Sequence, residues 1–542
     1  MATAEGWAEA PLVREQMVLF PTSIDEVIPH DHEVRLLDEV LRTLDWADWE
    51  DAYPRRKGQP PIHPRVLASL WLYGLSRKIK ASRPLEYACS HNIDFIWLAE
   101  GRRPDHSTLA AFFTKFGTQL KDLFKQVVRL AVRMGLARLG EVAFDGTRVK
   151  ACNGRYNTLT GKTLAERLAL VDREIDELMQ QAQAAQAGSD DAGSPGTSTQ
   201  LPSELATLEE RRAKLQAALE RANELDEERR KDGLTTPAQV PMNDLESRVM
   251  PNKEGGFAPN FTPTALTDGH CGIILETNVL DTVNEHRETL PSIDAATETY
   301  GEKLETFLAD TTMSTGPILA GLEERGITGY LPATSSEPPA ESPVLRDDWS
   351  LPVLEEHRDA LPKNSQGQLD RSNFLYDADR DEYRCPMGRA LPYVDREFRD
   401  GVESRRYRSE SCEDCPLASS CLKPPRGAAR DADNSIVNGR RRTIRRDAHA
   451  DARDRMAARM SEASSQAKFD RRSWVAETPF AWLKGILGLR QFRHVGLEKV
   501  EQEWRWACLS LNVKKILKAI AKLRALARAA LEAAGVEALP AS

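Results

Sequence analysis

The spacing of apolar residues predicts a helical N-terminal region. Apolar side chains recur every three or four positions in residues 34–44 and 66–75, and again after Asp105 and in residues 120–134. This period places them on one face of a helix, and Pro64 and Asp105 (or Ser107) belong to residue types that favour helix starts. We therefore predict a compact all-α domain over residues 20–137.

From Glu141 onwards the pattern becomes a mixture of strands and helices. Residues 141–149 and 306–309 are short β-like runs, and residues 260–280 form a hairpin pattern around the turn Asp268-Gly269-His270. Helical patterns follow over residues 290–300 and 315–325, with another short strand at residues 329–332. Such an order predicts an α/β domain with a mixed sheet covered by helices.

Two segments interrupt the α/β pattern. Leucines and other apolar residues alternate steps of four and three over residues 164–178 and again over 205–219, on either side of a Gly/Ser/Asp/Pro-rich linker at 188–200. This predicts an antiparallel coiled-coil hairpin over residues 161–232. The hairpin would extend the reach of the protein, contact a second copy in a dimer, clamp DNA or act only as a spacer. In residues 334–467 the α/β pattern lapses, and we expect a small insertion without a core of its own.

The charge distribution favours a nucleic-acid partner although the net charge is −9. Cations heavily outnumber acids between Arg55 and Arg138, a stretch that includes Arg56 and Lys57, and the chain is basic again between Arg440 and Arg472. Clustered Lys and Arg side chains can neutralise phosphates, although solvated basic helix faces are the alternative interpretation. No apolar run is long enough to span a membrane and no signal peptide is evident, so we predict a cytoplasmic protein.

Three acids, in the order Asp145, Asp310 and Glu477, are the candidate catalytic residues. The two aspartates end β-like runs, and Glu477 lies in an apolar helical pattern. A carboxylate inside a β-run costs free energy unless it is paired or binds a metal, although a surface turn at Asp145-Gly146 would also explain the first acid. Carboxylates are the hard ligands that Mg²⁺ prefers, so the three acids predict a site for two Mg²⁺ (or Mn²⁺) ions that cleaves phosphodiesters.

Basic residues around Glu477 are candidates for DNA binding. They are Arg471, Arg472, Lys484, Arg490 and Arg493. Arg can grip a phosphate with two donors, whereas Lys acts as a point charge.

Four cysteines form a separate group, namely Cys385, Cys412, Cys415 and Cys421. A Cys-x2-Cys pair with two further thiolates is typical of a closed tetrahedral Zn²⁺ site. We predict a structural zinc in a small subdomain, with free buried cysteines as the alternative. Four protein ligands would leave no position for a catalytic water.

The sequence resembles the DDE transposases of bacterial insertion sequences. The resemblance rests on Phe144-Asp145-Gly146-Thr147, on Leu308-Ala309-Asp310, on Tyr383-Arg384-Cys385-Pro386 with the following cysteines, and on Glu477 with Lys484. It implies a ribonuclease H-like catalytic domain, split over residues 138–160, 233–333 and 468–525. It also implies that Asp145, Asp310 and Glu477 are the triad and that Arg472 and Lys484 support it.

The resemblance and the residues together predict metal-dependent cleavage at the ends of an insertion sequence, followed by strand transfer into target DNA. The expected partners are the terminal inverted repeats, target DNA and at least one further copy of the chain. An inactive, transposase-derived DNA-binding protein and a metal-dependent DNA nuclease are the alternatives.

Overall fold

The computed structural model describes residues 23–53, 60–187, 201–231, 233–252, 255–333, 338, 341–365, 367–399, 402–410, 412, 414–422 and 441–533. Residues 20–22 of the predicted N-terminal domain, the cations Arg55, Arg56, Lys57 and Arg440, and the linker at 188–200 lie outside these ranges. Within them, no helix combines the length and the apolar character needed to cross a membrane. The chain divides into two compact units.

The first unit comprises residues 1–131, 486–488 and 505–542, and its described part is helical. Its N-terminal helices are α1 (Ile24–Val27), α2 (Glu33–Arg42), α3 (Ala47–Asp51), α4 (Pro64–Ser76), α5 (Ser82–His91), α6 (Ile93–Leu98), α7 (His106–Lys115) and α8 (Gly117–Arg133). The predicted helices are confirmed, and the Asp105 side chain caps α7 by accepting a hydrogen bond from the Thr108 backbone N–H.

Aromatic residues form much of the core of this unit. Trp49 stacks on Phe112 with 5.1 Å between ring centroids, and Trp71 lies 4.3 Å from Phe113. Trp506 also stacks on Phe113 and donates a hydrogen bond from Nε1 to its carbonyl. The C-terminal helix therefore packs in this unit from Arg505 onwards.

The second unit, residues 132–485 and 489–504, contains a mixed sheet. The strands up to residue 330 are β1 (Glu141–Gly146), β2 (Val149–Lys150), β3 (Thr158–Thr160), β4 (Gln239–Pro241), β5 (Arg248–Pro251), β6 (Phe257–Asp268), β7 (Ile274–Leu280), β8 (Thr306–Leu308) and β9 (Thr328–Tyr330). Strand β1 lies between antiparallel β6 and parallel β8, and β8 is parallel to β9. Strand β6 also pairs antiparallel with β2, β5 and β7.

The α-helices described in this part of the second unit are α9 (Gly161–Ala187), α10 (Leu201–Lys231), α11 (Thr289–Tyr300) and α12 (Gly316–Glu324). Helices α9 and α10 run antiparallel, because Asp172 pairs with Arg212 while Glu174 pairs with the preceding Arg211. Their leucine seam encloses a small apolar core, and strands β3 and β4 pair at its base. Helix packing of this kind agrees with the predicted hairpin, whereas supercoiling of the two helices stays a prediction.

The cysteine-containing segment has its own sheet and core. Its elements are β10 (Leu375–Asp377), β11 (Glu382–Arg384), β12 (Ala390–Arg399), β13 (Val402–Arg408), α13 (Ala418–Cys421) and β14 (Thr443–Asp447), with the strands paired in chain order. Phe374, Tyr383, Leu391 and Tyr407 are almost fully buried at its centre. The expectation of a coreless insertion is therefore wrong, because apolar residues far apart in sequence are brought together by antiparallel pairing.

The chain then returns to the first sheet through a series of helical segments. They are α14 (Ala450–Met460), α15 (Ala463–Arg472), a π-helical segment Ser473–Glu477, α16 (Thr478–Ala481), a second π-helical segment Trp482–Ile486 and α17 (Leu497–Ala533). Between the last two, residues 490–492 bond to Lys150 of β2 and extend the sheet.

Candidate active site

Asp145 lies inside the central strand of the sheet. It pairs with Ala265 of β6, it is only 8% exposed, and its Oδ1 accepts a hydrogen bond from the Gly146 N–H at 2.8 Å. The apolar residues Val142, Ala143 and Phe144 hold β1 in the core. The alternative of a surface turn at Asp145-Gly146 is wrong, since both residues belong to the ladder with β6.

Asp310 lies at the corresponding position beside β1. Ala143 pairs with Leu308 in the parallel ladder of β1 and β8, so each aspartate comes two residues after that pair. Asp310 caps a short 3₁₀ turn, Thr311–Met313, and its Oδ1 accepts hydrogen bonds from the N–H and the hydroxyl of Thr312 at 2.9 and 2.6 Å. Because parallel strands end at one edge of a sheet, the two acids share that edge.

Glu477 is brought to the same region by the residues immediately before it. Val475 and Ala476 are buried against Ala143 and Leu308, the pair that precedes the two aspartates. Glu477 itself is 55% exposed and accepts a hydrogen bond from Arg472 Nη2 at 3.3 Å. An i, i+5 pair faces one side of a π-helix, so the π-helical segment explains why this arginine and glutamate meet.

The structure thus places the three predicted acids around one small apolar platform, Ala143, Leu308, Val475 and Ala476. Each carboxylate makes a hydrogen bond within its own segment. Across the described ranges, no group of three or more His, Cys, Asp or Glu side chains has metal-ligating geometry. The arrangement supplies oxygen donors of the kind that bind Mg²⁺, at one edge of the sheet.

Lys484 reaches from the helical segments to the chain just after Asp145. Its Nζ donates to Thr147 Oγ1 at 2.5 Å and to the Arg148 carbonyl at 2.6 Å. The sequence singled out this lysine, and the structure shows that it also ties the Glu477 segment to the end of β1.

The remaining predicted DNA-binding arginines lie on exposed positions nearby. Arg471 contacts the Glu141 carboxylate at 3.2 Å and the Gly269 carbonyl at 3.3 Å. Arg490 donates to the Lys484 carbonyl at 3.4 Å, and Arg493 is exposed. Three of the five predicted cations (Arg471, Arg472 and Lys484) are therefore held by contacts with the sheet or with Glu477, and two project from the following segment.

Glu285 is an acid close to the site that the sequence did not indicate. An added Cβ at Gly146 would lie 1.8 Å from Glu285 Oε2, and Arg148 Nη1 lies 3.7 Å from the same oxygen. Gly146 is therefore required by close packing rather than by a turn. Glu285 lies in the 3₁₀ turn Glu285–Glu288, where only the charged sequence Glu285-His286-Arg287-Glu288 offered a signal.

The four clustered cysteines line one small cavity in the second sheet's subdomain. Burial raises the pKa of the Cys421 thiol to about 12 and also raises that of Cys385, with smaller contributions from the neighbouring thiols. Cys412 Sγ lies 3.4 Å from Ser409 Oγ. The sequence thus predicted which cysteines come together, although the thiols do not form a metal-ligating group here.

Comparison with known proteins gives two family matches. Residues 384–517 match a family described as Transposase DDE domain, and residues 22–115 match one described as Transposase domain (DUF772). No curated protein gives a significant match. The first match includes the clustered cysteines, Glu477 and Lys484, and the second covers helices α1 to α7. Both matches support a role in transposition, and the chain is similar to the DDE transposases of insertion sequences.

Proposed function

We propose that this chain is a transposase that cuts DNA at the ends of an insertion sequence and joins the freed ends to target DNA. Asp145, Asp310 and Glu477 would be its catalytic carboxylates. The observation that carries the proposal is the pairing of Ala143 with Leu308, with Val475 and Ala476 packed against both. This packing directs three acids from distant parts of the chain to one edge of a sheet.

The strand order supports a ribonuclease H-like catalytic fold. The order β7, β6, β1, β8, β9, with antiparallel pairing up to β1 and parallel pairing after it, is the order that we expect of that fold. The first acid then lies on the central strand and the second follows its parallel neighbour.

The donor set fits divalent cations such as Mg²⁺ or Mn²⁺, because all three groups are carboxylates. When bound, a pair of such ions supplies an activated attacking oxygen and stabilises the leaving oxygen. Asp145 is fixed by the sheet and would hold its carboxylate in place. Glu477 is exposed and paired with Arg472, so it would have to exchange that partner to join the aspartates.

The cations around Glu477 would position DNA at this edge. Arg471 and Arg472 precede the acid, and Lys484, Arg490 and Arg493 follow it on segments that contact the same sheet. Arg472 would be released for a phosphate when Glu477 turns towards the aspartates. Two element ends must be brought together for transposition, so we expect the active assembly to contain at least two copies.

We also propose a structural Zn²⁺ held by Cys385, Cys412, Cys415 and Cys421. The support is that four thiols, one just after β11, two between β13 and α13 and one at the end of α13, line one cavity, which suits the ligand set of a closed zinc site. The surrounding subdomain has its own apolar core. The metal would therefore reinforce this subdomain and would take no part in cleavage.

The decisive experiment for the transposase is incubation of the protein with Mg²⁺ and a duplex carrying the inverted repeats that flank its coding region. Asp145→Asn, Asp310→Asn and Glu477→Gln should each abolish nicking at the repeat boundary while DNA binding remains. Asp470→Asn is the matched control, because it is an exposed acid on α15 whose side chain accepts from Gln466. Nicking without joined products would indicate a nuclease, and salt-sensitive binding without nicking would indicate an inactive DNA-binding protein.

The zinc proposal is tested by metal analysis of the purified chain. We expect about one Zn²⁺ per chain, and its loss in Cys412→Ser but not in Cys152→Ser, which changes a cysteine outside the cavity. Absence of zinc from native protein that was expressed in zinc-supplemented medium would contradict the proposed zinc site.

A further inference from the structure

A charged depression lies beside the apolar platform, and its lining residues have not been assigned a part in the proposed cleavage. It has a volume of about 460 Å³ and is lined by residues that include Tyr330, Arg455, Arg459, Glu462, Ser464 and Lys468. Three cations face it against one carboxylate. A surface depression of this composition attracts anions.

The cations in the depression differ in how strongly they are already paired. Arg455 binds the Glu323 carboxylate through two hydrogen bonds of 2.9 and 2.6 Å, and this pairing raises the pKa of Arg455 and lowers that of Glu323. Arg459 donates to the Gly329 carbonyl at 3.2 Å. Within the described part of the chain, neither Arg459 nor Lys468 forms an ion pair with an acid. These two side chains therefore carry most of the charge available to a ligand.

Tyr330 decides which part of a nucleotide the depression can take. Lys468 Nζ lies over one face of its ring, 5.2 Å from the centroid, so an ammonium group and not a base occupies that face. The start of α15 adds the Ser464 hydroxyl, which donates to the carboxylate of the N-cap residue Glu462 at 3.4 Å and would turn to a phosphate when one binds. Cations and hydroxyls suit a phosphate, whereas a base would need an open ring.

The depression is connected to the acids through two elements. Tyr330 pairs with Leu308 in the ladder of β8 and β9 and packs against the apolar platform. Lys468 and Arg472 lie one turn apart on α15, and Arg472 contacts Glu477. The nine residues from Lys468 to Glu477 rise by at most about 13 Å, since the last of them are π-helical, and this corresponds to roughly four nucleotide steps along one strand of B-form DNA.

We propose that this depression, centred on Lys468 and Arg459, binds a backbone phosphate of the DNA roughly four nucleotides from the cleaved bond. The proposal rests on the proposed function, because it takes the DNA to be the one held at the three acids. It assigns Lys468 and Arg459 as positioning residues that fix the path of the strand without touching the reacting atoms. Since only the backbone is contacted, binding there does not depend on base sequence.

The test compares Lys468→Ala and Lys468→Arg with native protein in DNA binding over a range of salt concentrations. All carry Asp145→Asn so that cleavage does not interfere. Loss of one phosphate contact should lower the slope of log Kd against log salt by about 0.9 and weaken binding several-fold, while the arginine variant should retain the native slope. Lys499→Ala, an exposed lysine at the start of α17, is the matched control.

Shortened duplexes locate the contact. The difference between Lys468→Ala and native protein should disappear when either the 5′ or the 3′ flank is cut to fewer than about four nucleotides beyond the cleavage position. An unchanged salt slope, with thermal stability retained, would overturn the proposal even if the native protein cleaves DNA. Conversely, a protein that never cleaves but shows this length-dependent loss would contradict the proposed function and keep the phosphate site.

Discussion

Lys484 donates hydrogen bonds to the hydroxyl of Thr147, two residues after Asp145, and to the backbone carbonyl of Arg148. This relationship joins the segment that carries Glu477 to the strand that carries Asp145. A lysine expected to act only on phosphate thus also fixes the distance between two parts of the site.

Replacing Lys484 by Met should reveal its structural role. The methionine keeps the apolar stem but loses both hydrogen bonds, and bonds from a charged donor are worth about 1.5–3 kcal/mol each before relaxation. We expect the free energy of unfolding to fall by about 1–3 kcal/mol and cleavage to fall with it. Denaturant unfolding measures the change in the free energy of unfolding, with Lys499→Met as the control. Native stability in Lys484→Met would show that the bonds contribute nothing to folding.

Gly146→Ala should disturb the site through a clash with Glu285. The new methyl group would meet Glu285 Oε2 at 1.8 Å and its Cδ at 2.9 Å, so the acid would have to move. Overpacking of this kind costs about 1–3 kcal/mol. The double variant Gly146→Ala, Glu285→Ala should recover most of that loss, as a double-mutant cycle of thermal unfolding would show. Purely additive effects would contradict the contact.

Asp268 should be essential for the turn between β6 and β7. Its buried carboxylate accepts hydrogen bonds from the backbone N–H groups of Arg138, His270 and Cys271. Asp268→Ala leaves three donors without this acceptor, which should cost about 2–4 kcal/mol. Asp268→Asn keeps one acceptor oxygen and should cost less. Equal stability of the two variants in urea unfolding would show that water replaces the carboxylate.

Asp244 should make stability fall as pH rises. Burial raises the pKa of this carboxyl from 3.8 to about 6, so the folded chain holds a proton that the unfolded chain has lost. The stabilisation is complete below the unfolded pKa and is lost as pH rises through about 6. Relative to native protein, Asp244→Asn should gain roughly 1–1.5 kcal/mol between about pH 5 and pH 8. A pH-independent difference in unfolding free energy would contradict the buried acid.

Chelation should leave the cysteine subdomain folded if zinc is only a reinforcement. The sheet β10–β14 encloses buried Phe374, Tyr383, Leu391 and Tyr407, so its strands have an apolar core without metal. We expect a chelator to lower the thermal midpoint while far-ultraviolet circular dichroism at room temperature stays unchanged. Tyr407→Ala is the comparison, since removing this buried ring should unfold the same sheet.

Local patterns predicted the elements whose contacts are local. The apolar periodicity of α2 and α4, the capping aspartate of α7 and the hairpin around Asp268 all depend on residues close in sequence, and all are present. The order of the acids likewise indicated which residues to examine. The sequence left open whether Asp145 is buried in a strand or lies in a surface turn. Only the long-range pairing of β1 with β6 and β8 distinguishes the two.

The features that the sequence did not predict depend on tertiary packing. The core of the cysteine subdomain draws on residues from Val344 to Ile444 that have no common period. Glu285 approaches Gly146 from a turn well over a hundred residues away. The π-helical turns were not predicted either, because a pattern read at 3.6 residues per turn assumes α-helical spacing and does not show where an extra residue is inserted.

The two π-helical segments set the directions in which side chains near Glu477 point around the helix axis. Each one adds about one residue to a turn, which rotates everything after it by roughly 100° relative to an unbroken α-helix. The segment at Ser473–Glu477 therefore sets the phase of Glu477 relative to Arg472 independently of α15, and the segment at Trp482–Ile486 sets the phase of Lys484. Deleting one residue from either segment would leave a continuous helix of nearly the same composition but would turn Glu477 or Lys484 away from β1.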